Sequence, residues 1–158
     1  MNRVGLGIDV HPVTDDPDRP LLLGGVRFDG PGLAGHSDAD VVSHAAADAL
    51  LGAAGLGDLG SLFPDSDPAF AGADSLALLS DVASRVRAAG WEPDNVDCAV
   101  VLEAPRLAPQ RVAMQEALSA AVGAAVTVKA TRPERLGALG RGEGVACLAV
   151  ALVHRVAP

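Results

Sequence analysis

Val4, Leu6 and Ile8 alternate with Gly5, Gly7 and Asp9, a period of two that predicts a strand over residues 3–10. Successive strand side chains point to opposite faces, so Asp9 and His11 share one. Pro12 ends the regular run. Residues 14–19 (TDDPDR) read as a polar turn-rich loop, and the apolar run at 21–28 (LLLGGVRF) predicts a second strand. Gly24 and Gly25 mark a bulge or a close backbone approach within it.

After a Gly/Pro loop the period lengthens. Val41, Val42, Ala45, Ala46, Ala49 and Leu50 form the buried stripe of a helix. Ser37 and Asp40 have the spacing of a capping box, with Ser37 as N-cap and Asp40 at N3, and the helix should end within residues 52–55. Residues 55–70 (GLGDLGSLFPDSDPAF) make a loop too long for a simple connector, so it is expected to be functional or mobile. Leu76, Leu79, Val82, Ala83 and Val86 predict a second helix, from Asp74 or Ser75 to about Ala89, with Gly90 at C′. Residues 96–102 and 126–130 predict strands. Between them Pro105 and Pro109 bracket a short loop, and Pro109 suits the first turn of a helix to about Val122. Residues 131–144 hold a short turn and a Gly-rich segment. Residues 145–153, apolar throughout, predict a closing strand covered on both faces. One α/β domain over residues 1–158 accounts for the pattern.

Composition narrows the class. A chain of 158 residues that is 49% hydrophobic can bury a sizeable core. Aromatic residues are only 3%, so the core is built from Ala, Val and Leu, and oligomerisation is a natural further source of burial. A net charge of −8 with no basic run argues against nucleic acid as a partner. There is no signal-like apolar segment at the start and no run long enough to span a membrane, which fits a cytoplasmic protein. Cys98 and Cys147 lie in apolar strand-like runs and are expected to be buried and reduced.

Asp9-x-His11 at a strand end, joined by a histidine from a distant helix, supplies three N/O ligands and leaves a fourth position open, a set that suits zinc. Either His36 or His44 can be the third ligand. His44 lies inside the helix and is held more rigidly, whereas His36 precedes the cap and suits a loop contact. The plainer reading is a chance Asp-x-His and an ordinary helix cap. His36, Asp40, His44 and Asp48 are spaced at four, so from the helix start onward they share a face. His154 reads as a surface residue. Asp58, Gly60 and the run from Phe63 to Asp67 are turn formers of a surface loop when taken alone. Lys129, Thr131, Arg132 and Arg141, with GRGEG at 140–144, make either an anion site or a flexible hairpin with solvated charges.

Taken together, GLGIDVHPV (5–13), LLLGGVRF (21–28), GHSDADVVSHAAADALLGAAGLGDLGSLFPDSDP (35–68), NVDCAVVLEAPRLAP (95–109) and VKATRPERLGALGRGEGVACLAVAL (128–152) resemble the 2-C-methyl-D-erythritol 2,4-cyclodiphosphate synthase family over essentially the whole chain. The resemblance implies an α/β (α+β) single domain, with helices packed on one face of a mixed β-sheet. It also implies a homotrimer with active sites at subunit interfaces. The implied reaction belongs to non-mevalonate isoprenoid synthesis. The 2-phosphate of 4-diphosphocytidyl-2-C-methyl-D-erythritol 2-phosphate attacks its own β-phosphorus, releasing CMP.

Carried over residue by residue, the zinc ligands look like Asp9, His11 and His44, with Asp9 and His11 also beside the substrate. His36 and Ser37 match the contacts to phosphate and polyol, and His36 is one of two catalytic positions. Asp58, Leu59 and Gly60, then Phe63, Pro64, Asp65, Ser66 and Asp67, match the polyol-diphosphate loop. Leu102, Glu103, Ala104, Pro105, Arg106, Leu107 and Ala108 match a cytidine pocket lent by a neighbouring subunit. Thr131, Arg132, Pro133 and Glu134 match the diphosphate turn. Glu134 there looks like the ligand of a second ion, magnesium or manganese. Ala138 and Arg141 match positions near the diphosphate, Arg141 beside a central trimer cavity that holds a prenyl diphosphate in some members. The family reads a Thr-Thr pair where this chain has Thr131-Arg132, so Arg132, the second catalytic position, replaces a hydroxyl with a guanidinium. Arg106 stands where lysine is common.

Overall fold

The computed structural model describes residues 1–156. Its strands are β1 (Asn2–Pro12), β2 (Leu21–Leu23), β3 (Val26–Phe28), β4 (Trp91–Val101), β5 (Ala125–Thr131) and β6 (Gly144–Arg155). Its helices are α1 (Val41–Ala54), α2 (Leu59–Leu62), α3 (Ser75–Ala88), α4 (Arg111–Val122) and α5 (Gly137–Gly140). The main sheet has the order β1-β6-β4-β5 and is mixed: β6 runs antiparallel to both β1 and β4, while β4 and β5 are parallel. A parallel pair needs a crossover, and α4 provides it. The helices α1, α3 and α4 lie on one side of this sheet, and the buried side chains of all three join the inward face of the sheet in one core.

α1 is apolar nearly all round and must be enclosed. Only Asp48 and Gly52 in it escape full burial. It lies on β1 because β1 has nothing to hold it away. Gly5 and Gly7 face the helix, and a Cβ on Gly7 would stand 2.0 Å from Ala45 O. Gly5 stands in the same way against Ala49. Two strand residues advance about 6.6 Å and four helix residues about 6 Å, so the two elements keep step. The next inward residue of β1, Asp9, therefore meets the turn that carries His44.

Four expectations change. Ser37 is not the N-cap of α1. Asp40 is, and its carboxylate accepts from Val42 N at 3.1 Å and Ser43 N at 3.3 Å. The helix starts later because Asp40 is also claimed by the chain's other apolar run. Residues 21–28 fold as a hairpin rather than one strand, with Gly24 and Gly25 both at positive φ. That is the backbone of a tight two-residue turn. Both turn N–H groups donate to Asp40, at 2.8 and 2.6 Å. Residues 55–70, expected as plain loop, carry two short elements, α2 and a 3-10 turn, Pro68–Phe70. Finally, β6 is covered on one face only. Leu148 and Val150 are exposed beside Val4, Leu6, Ile8 and Val10 of β1, which are 54–65% exposed. A smaller shift is at Pro109, which sits in a 3-10 turn just ahead of α4. The second helix does open after Asp74 and close before Gly90, at φ 82°. Cys98 and Cys147 are buried and free.

Candidate metal centre and substrate cleft

Asp9 and His11 come from the end of β1 and His44 from the first turn of α1. One ligand atom from each lies within 4.8 Å of the other two. Asp9 Oδ2 is 3.0 Å from His11 Nε2 and 3.0 Å from His44 Nδ1, and the two nitrogens are 3.2 Å apart. His11 Nδ1 lies 2.7 Å from Ala34 O. A carbonyl oxygen only accepts, so Nδ1 carries the proton and the Nε2 lone pair turns toward Asp9. With His11 neutral, its Nε2 and the Asp9 oxygen meet as acceptors, a crowding that a proton or a bound cation relieves. Two imidazole nitrogens and one carboxylate oxygen are a zinc-type donor set with a position left open.

The charges follow from this crowding. Burial pushes the Asp9 carboxyl up, but the hydrogen bonds and charges of His11 and His44 outweigh it and hold it well below the usual carboxylate range. Burial pushes His11 down, yet the hydrogen bond and charge of Asp9 leave it above its ordinary value.

A cleft of about 500 Å³ opens on these ligands. Its walls include His36, Ser37, Leu59, Gly60, Phe63, Pro64 and Asp65, with Gly35, Phe70 and Leu78 as further lining. His36 Nε2 is 2.9 Å from Asp67 O, which ties the loop at 63–67 to the segment before α1. Asp58 does not line the cleft. It caps α2, accepting from Ser61 N at 2.7 Å and Ser61 Oγ at 2.8 Å. Ser66 is exposed on the loop. The four-residue spacing of His36, Asp40, His44 and Asp48 does not make one face. Asp40 points away, into the hairpin turn, and His36 precedes the helix.

The remaining predicted residues gather elsewhere. Leu102, Glu103, Pro105, Arg106, Leu107, Ala108, Thr131 and Arg132 line a separate cavity of about 280 Å³. Ala104 and Arg141 line a third, of about 260 Å³, with Asp29 and Glu103. Glu134 stands exposed in the following turn at φ 52°, after Pro133. Ala138 is exposed in α5, and its carbonyl accepts from Glu143 N at 3.0 Å. Lys129 does not join Arg132 and Arg141; it pairs with Asp97 across β4 and β5. Arg141 pairs with Glu143 at 2.5 Å. His154 is an outer residue paired with Asp94 at 2.8 Å.

Two polar residues of the site escaped the sequence reading. Asp38 and Ser75 stand behind His44, and Ser75 is 1% exposed. Its position at the start of a helix reads as capping, and only the fold brings it to His44.

The model of the YgbB family matches residues 2–154. The chain belongs to the YgbB family. Among curated members of known name, this YgbB-family chain is 54% identical over 157 residues to 2-C-methyl-D-erythritol 2,4-cyclodiphosphate synthase of Azoarcus sp. (strain BH72), covering 97% of this chain and 96% of that one. It is similar in structure to the bifunctional IspDF from Campylobacter jejuni, with a TM-score of 0.92 and 41% identity. That match covers 98% of this chain and 42% of the longer one. It is also similar to IspF of Plasmodium falciparum in a CDP complex, with a TM-score of 0.85 and 28% identity, covering 99% and 97% of the two chains. The α+β fold with a mixed sheet is common to them. Among the described residues no helix is long and apolar enough to cross a membrane.

Proposed function

We propose that this YgbB-family chain is a metal-dependent 2-C-methyl-D-erythritol 2,4-cyclodiphosphate synthase, a phosphorus-oxygen lyase that releases CMP. The observation that carries the reading is the convergence of Asp9, His11 and His44 at the floor of a cleft walled by His36 and Ser37. The names of the curated relatives support the reaction, and the CDP complex of the Plasmodium falciparum relative supports a cytidine-linked ligand.

In this reading Asp9, His11 and His44 hold zinc. Bound there, zinc supplies positive charge that neutralises and orients a phosphate oxygen. The substrate provides its own nucleophile. An oxygen of its 2-phosphate forms a bond to the β-phosphorus, and the bond from that phosphorus to the bridging oxygen breaks, its electron pair leaving with CMP. The protein's part is to position the reacting groups and stabilise charge. His36 and Ser37 contact the phosphate and polyol, with the loop at 63–67 over the polyol and Asp58 holding α2, whose Leu59 and Gly60 line the cleft, beside it. Glu134 holds a second ion, magnesium or manganese, at the diphosphate. Arg132 shares a cavity with Arg106 and makes a charge-assisted contact to the transferring phosphates where the family uses a hydroxyl.

The cytidine pocket and the metal cleft are separate cavities within one chain. That separation supports a site shared between copies, and the active form proposed is the homotrimer that the family resemblance implies, in which residues 102–108 of one subunit face the metal cleft of the next. The exposed apolar strip on β1 and β6 supports burial between copies.

His44→Ala removes one of three ligands and is expected to lose bound zinc and cyclase activity together, read by metal analysis and CMP release. Zinc retained at full stoichiometry would contradict the ligand set.

A further inference from the structure

The hydrogen bonds behind His44 decide which of its nitrogens is free. His44 Nε2 lies 2.8 Å from Ser75 Oγ and 3.1 Å from Ser37 Oγ. The Ser75 hydroxyl in turn donates to Asp38 Oδ1. Asp38 is held for this from both sides: its Oδ2 accepts the Ser75 backbone N–H at 3.1 Å, and its Oδ1 accepts Asp40 N–H at 3.1 Å.

A hydroxyl has one proton to give, and a carboxylate oxygen already taking backbone N–H groups can only accept. With the Ser75 proton on Asp38, Ser75 Oγ faces His44 with lone pairs alone. The nearer contact on Nε2 is satisfied only if the ring proton is there. Nδ1 is then left bare, 3.0 Å from Asp9 Oδ2 and 3.2 Å from His11 Nε2. The reverse tautomer would give its Nδ1 proton to Asp9 Oδ2 but set the Nε2 lone pair against those of Ser75 at the shorter contact, and a cation shared by Asp9 and Nδ1 removes its one advantage. Ser37 Oγ accepts Ala39 N–H at 3.1 Å and keeps its own proton, but at 3.1 Å it lies farther from Nε2 than Ser75 Oγ at 2.8 Å, so the Ser75 contact sets the balance.

We propose that Asp38 and Ser75 are positioning residues, a carboxylate–hydroxyl relay that holds His44 in its Nε2–H tautomer and so presents Nδ1 to a divalent metal ion. The relay rests on the reading of Asp9, His11 and His44 as metal ligands. It joins the start of α3 to the segment before α1, so both elements set the ligand's orientation. Hydrogen-bonded partners behind a metal-bound histidine fix its tautomer and raise its basicity, and their loss commonly weakens binding by about 10–100-fold.

The test uses the full chain with nitrogen-15 histidine. The metal-free protein is examined by long-range proton–nitrogen NMR, and zinc affinity is measured by competition with a chromogenic chelator near neutral pH. The unaltered chain should show His44 as the Nε2–H tautomer. Ser75→Ala should shift His44 toward Nδ1–H, with Ser37 left as the hydroxyl that donates to Nε2, and weaken zinc binding by roughly 10–100-fold. Ser75→Thr keeps the hydroxyl and should restore both. Asp74→Ala removes the α3 cap, which accepts from Leu76 N at 2.9 Å, and should lower the melting temperature without moving tautomer or affinity.

An Nδ1–H tautomer in the unaltered chain overturns the relay, and that measurement stands even if Ser75→Ala fails to fold. Equal zinc affinity in Ser75→Ala also overturns it, as does an Asp74→Ala loss that matches the Ser75→Ala loss. An unaltered chain that binds no zinc overturns the metal reading itself.

Discussion

One turn beyond His44, Asp48 accepts the Leu59 N–H at 2.7 Å. Burial pushes its carboxyl above the ordinary value, the Leu59 bond opposes, and the charges of Asp58 and Asp9 add to the rise. A carboxyl raised in the fold is favoured in its protonated form. Its contribution to stability is fully present below the ordinary value of 3.8 and is lost as pH rises through the folded value. At neutral pH the ionised group therefore works against the fold. Asn keeps an oxygen for the Leu59 N–H and carries no charge. We expect Asp48→Asn to melt above the parent at neutral pH, with the gap closing below pH 3.8; a gap that persists in acid would contradict this. At this scale the sequence was legible where spacing is local. Asp9 and His11 share a face because strands have a period of two, and that needs no tertiary knowledge. Spacing left both His44 and His36 open as the third ligand, with His44 the more rigidly placed, since closing the choice requires the packing of α1 on β1. Ser75 was read as a helix start and Asp40 as part of a capping box because their other partners are distant: Ser75 meets His44 only after α3 packs on α1, and Asp40 meets Gly24 and Gly25 only after the hairpin forms.

The element that sets the site is the β1–α1 pair. Gly5 and Gly7 let the helix backbone approach the strand, and that approach fixes the height of His44 against Asp9. Gly7→Ala puts a Cβ 2.0 Å from Ala45 O and 2.6 Å from Ala49 N, both backbone atoms of α1. The helix must lift, because no side-chain rotamer relieves a backbone clash. Overpacking of this kind costs about 1–3 kcal/mol, read by denaturant unfolding, and the lifted helix should also bind zinc more weakly. Unchanged stability and unchanged affinity would mean that the strand–helix contact does not set the site. The glycines read in sequence simply as the polar half of an alternating strand. Their use as a contact surface depends on which element lies over them, and the strand's own pattern does not state that. The two-residue turn in LLLGGVRF was missed for a related reason: a Gly-Gly pair serves a bulge and a hairpin equally, and Asp40 from outside the run selects the hairpin.

At the scale of the molecule, the β1–β6 sheet has one face under helices and one open. The continuous apolar pattern of residues 145–153 predicted cover on both faces, and a sequence does not say whether that cover comes from its own chain. In the β1–β6 register Leu6 stands opposite Val150 and Ile8 opposite Leu148, which makes the exposed strip continuous. Burying a Leu or Ile fully contributes roughly 1.5–3 kcal/mol, so a charge there should prevent assembly. Leu6→Asp is expected to run as a monomer in light scattering and to lose cyclase activity. It should keep its zinc, because Asp9, His11 and His44 belong to one chain. A Leu6→Asp protein that is still trimeric, or a monomer with full activity, would contradict the subunit-interface site.

The most direct measurement is phosphorus-31 NMR of 4-diphosphocytidyl-2-C-methyl-D-erythritol 2-phosphate incubated with the zinc-loaded protein and magnesium or manganese. The substrate signals should be replaced by those of CMP and the cyclic diphosphate, with no linear product. Release of a linear phosphate would mean that water, and not the substrate's own 2-phosphate, attacks. An unchanged spectrum, while the Azoarcus relative turns over in the same buffer, would contradict the assignment altogether.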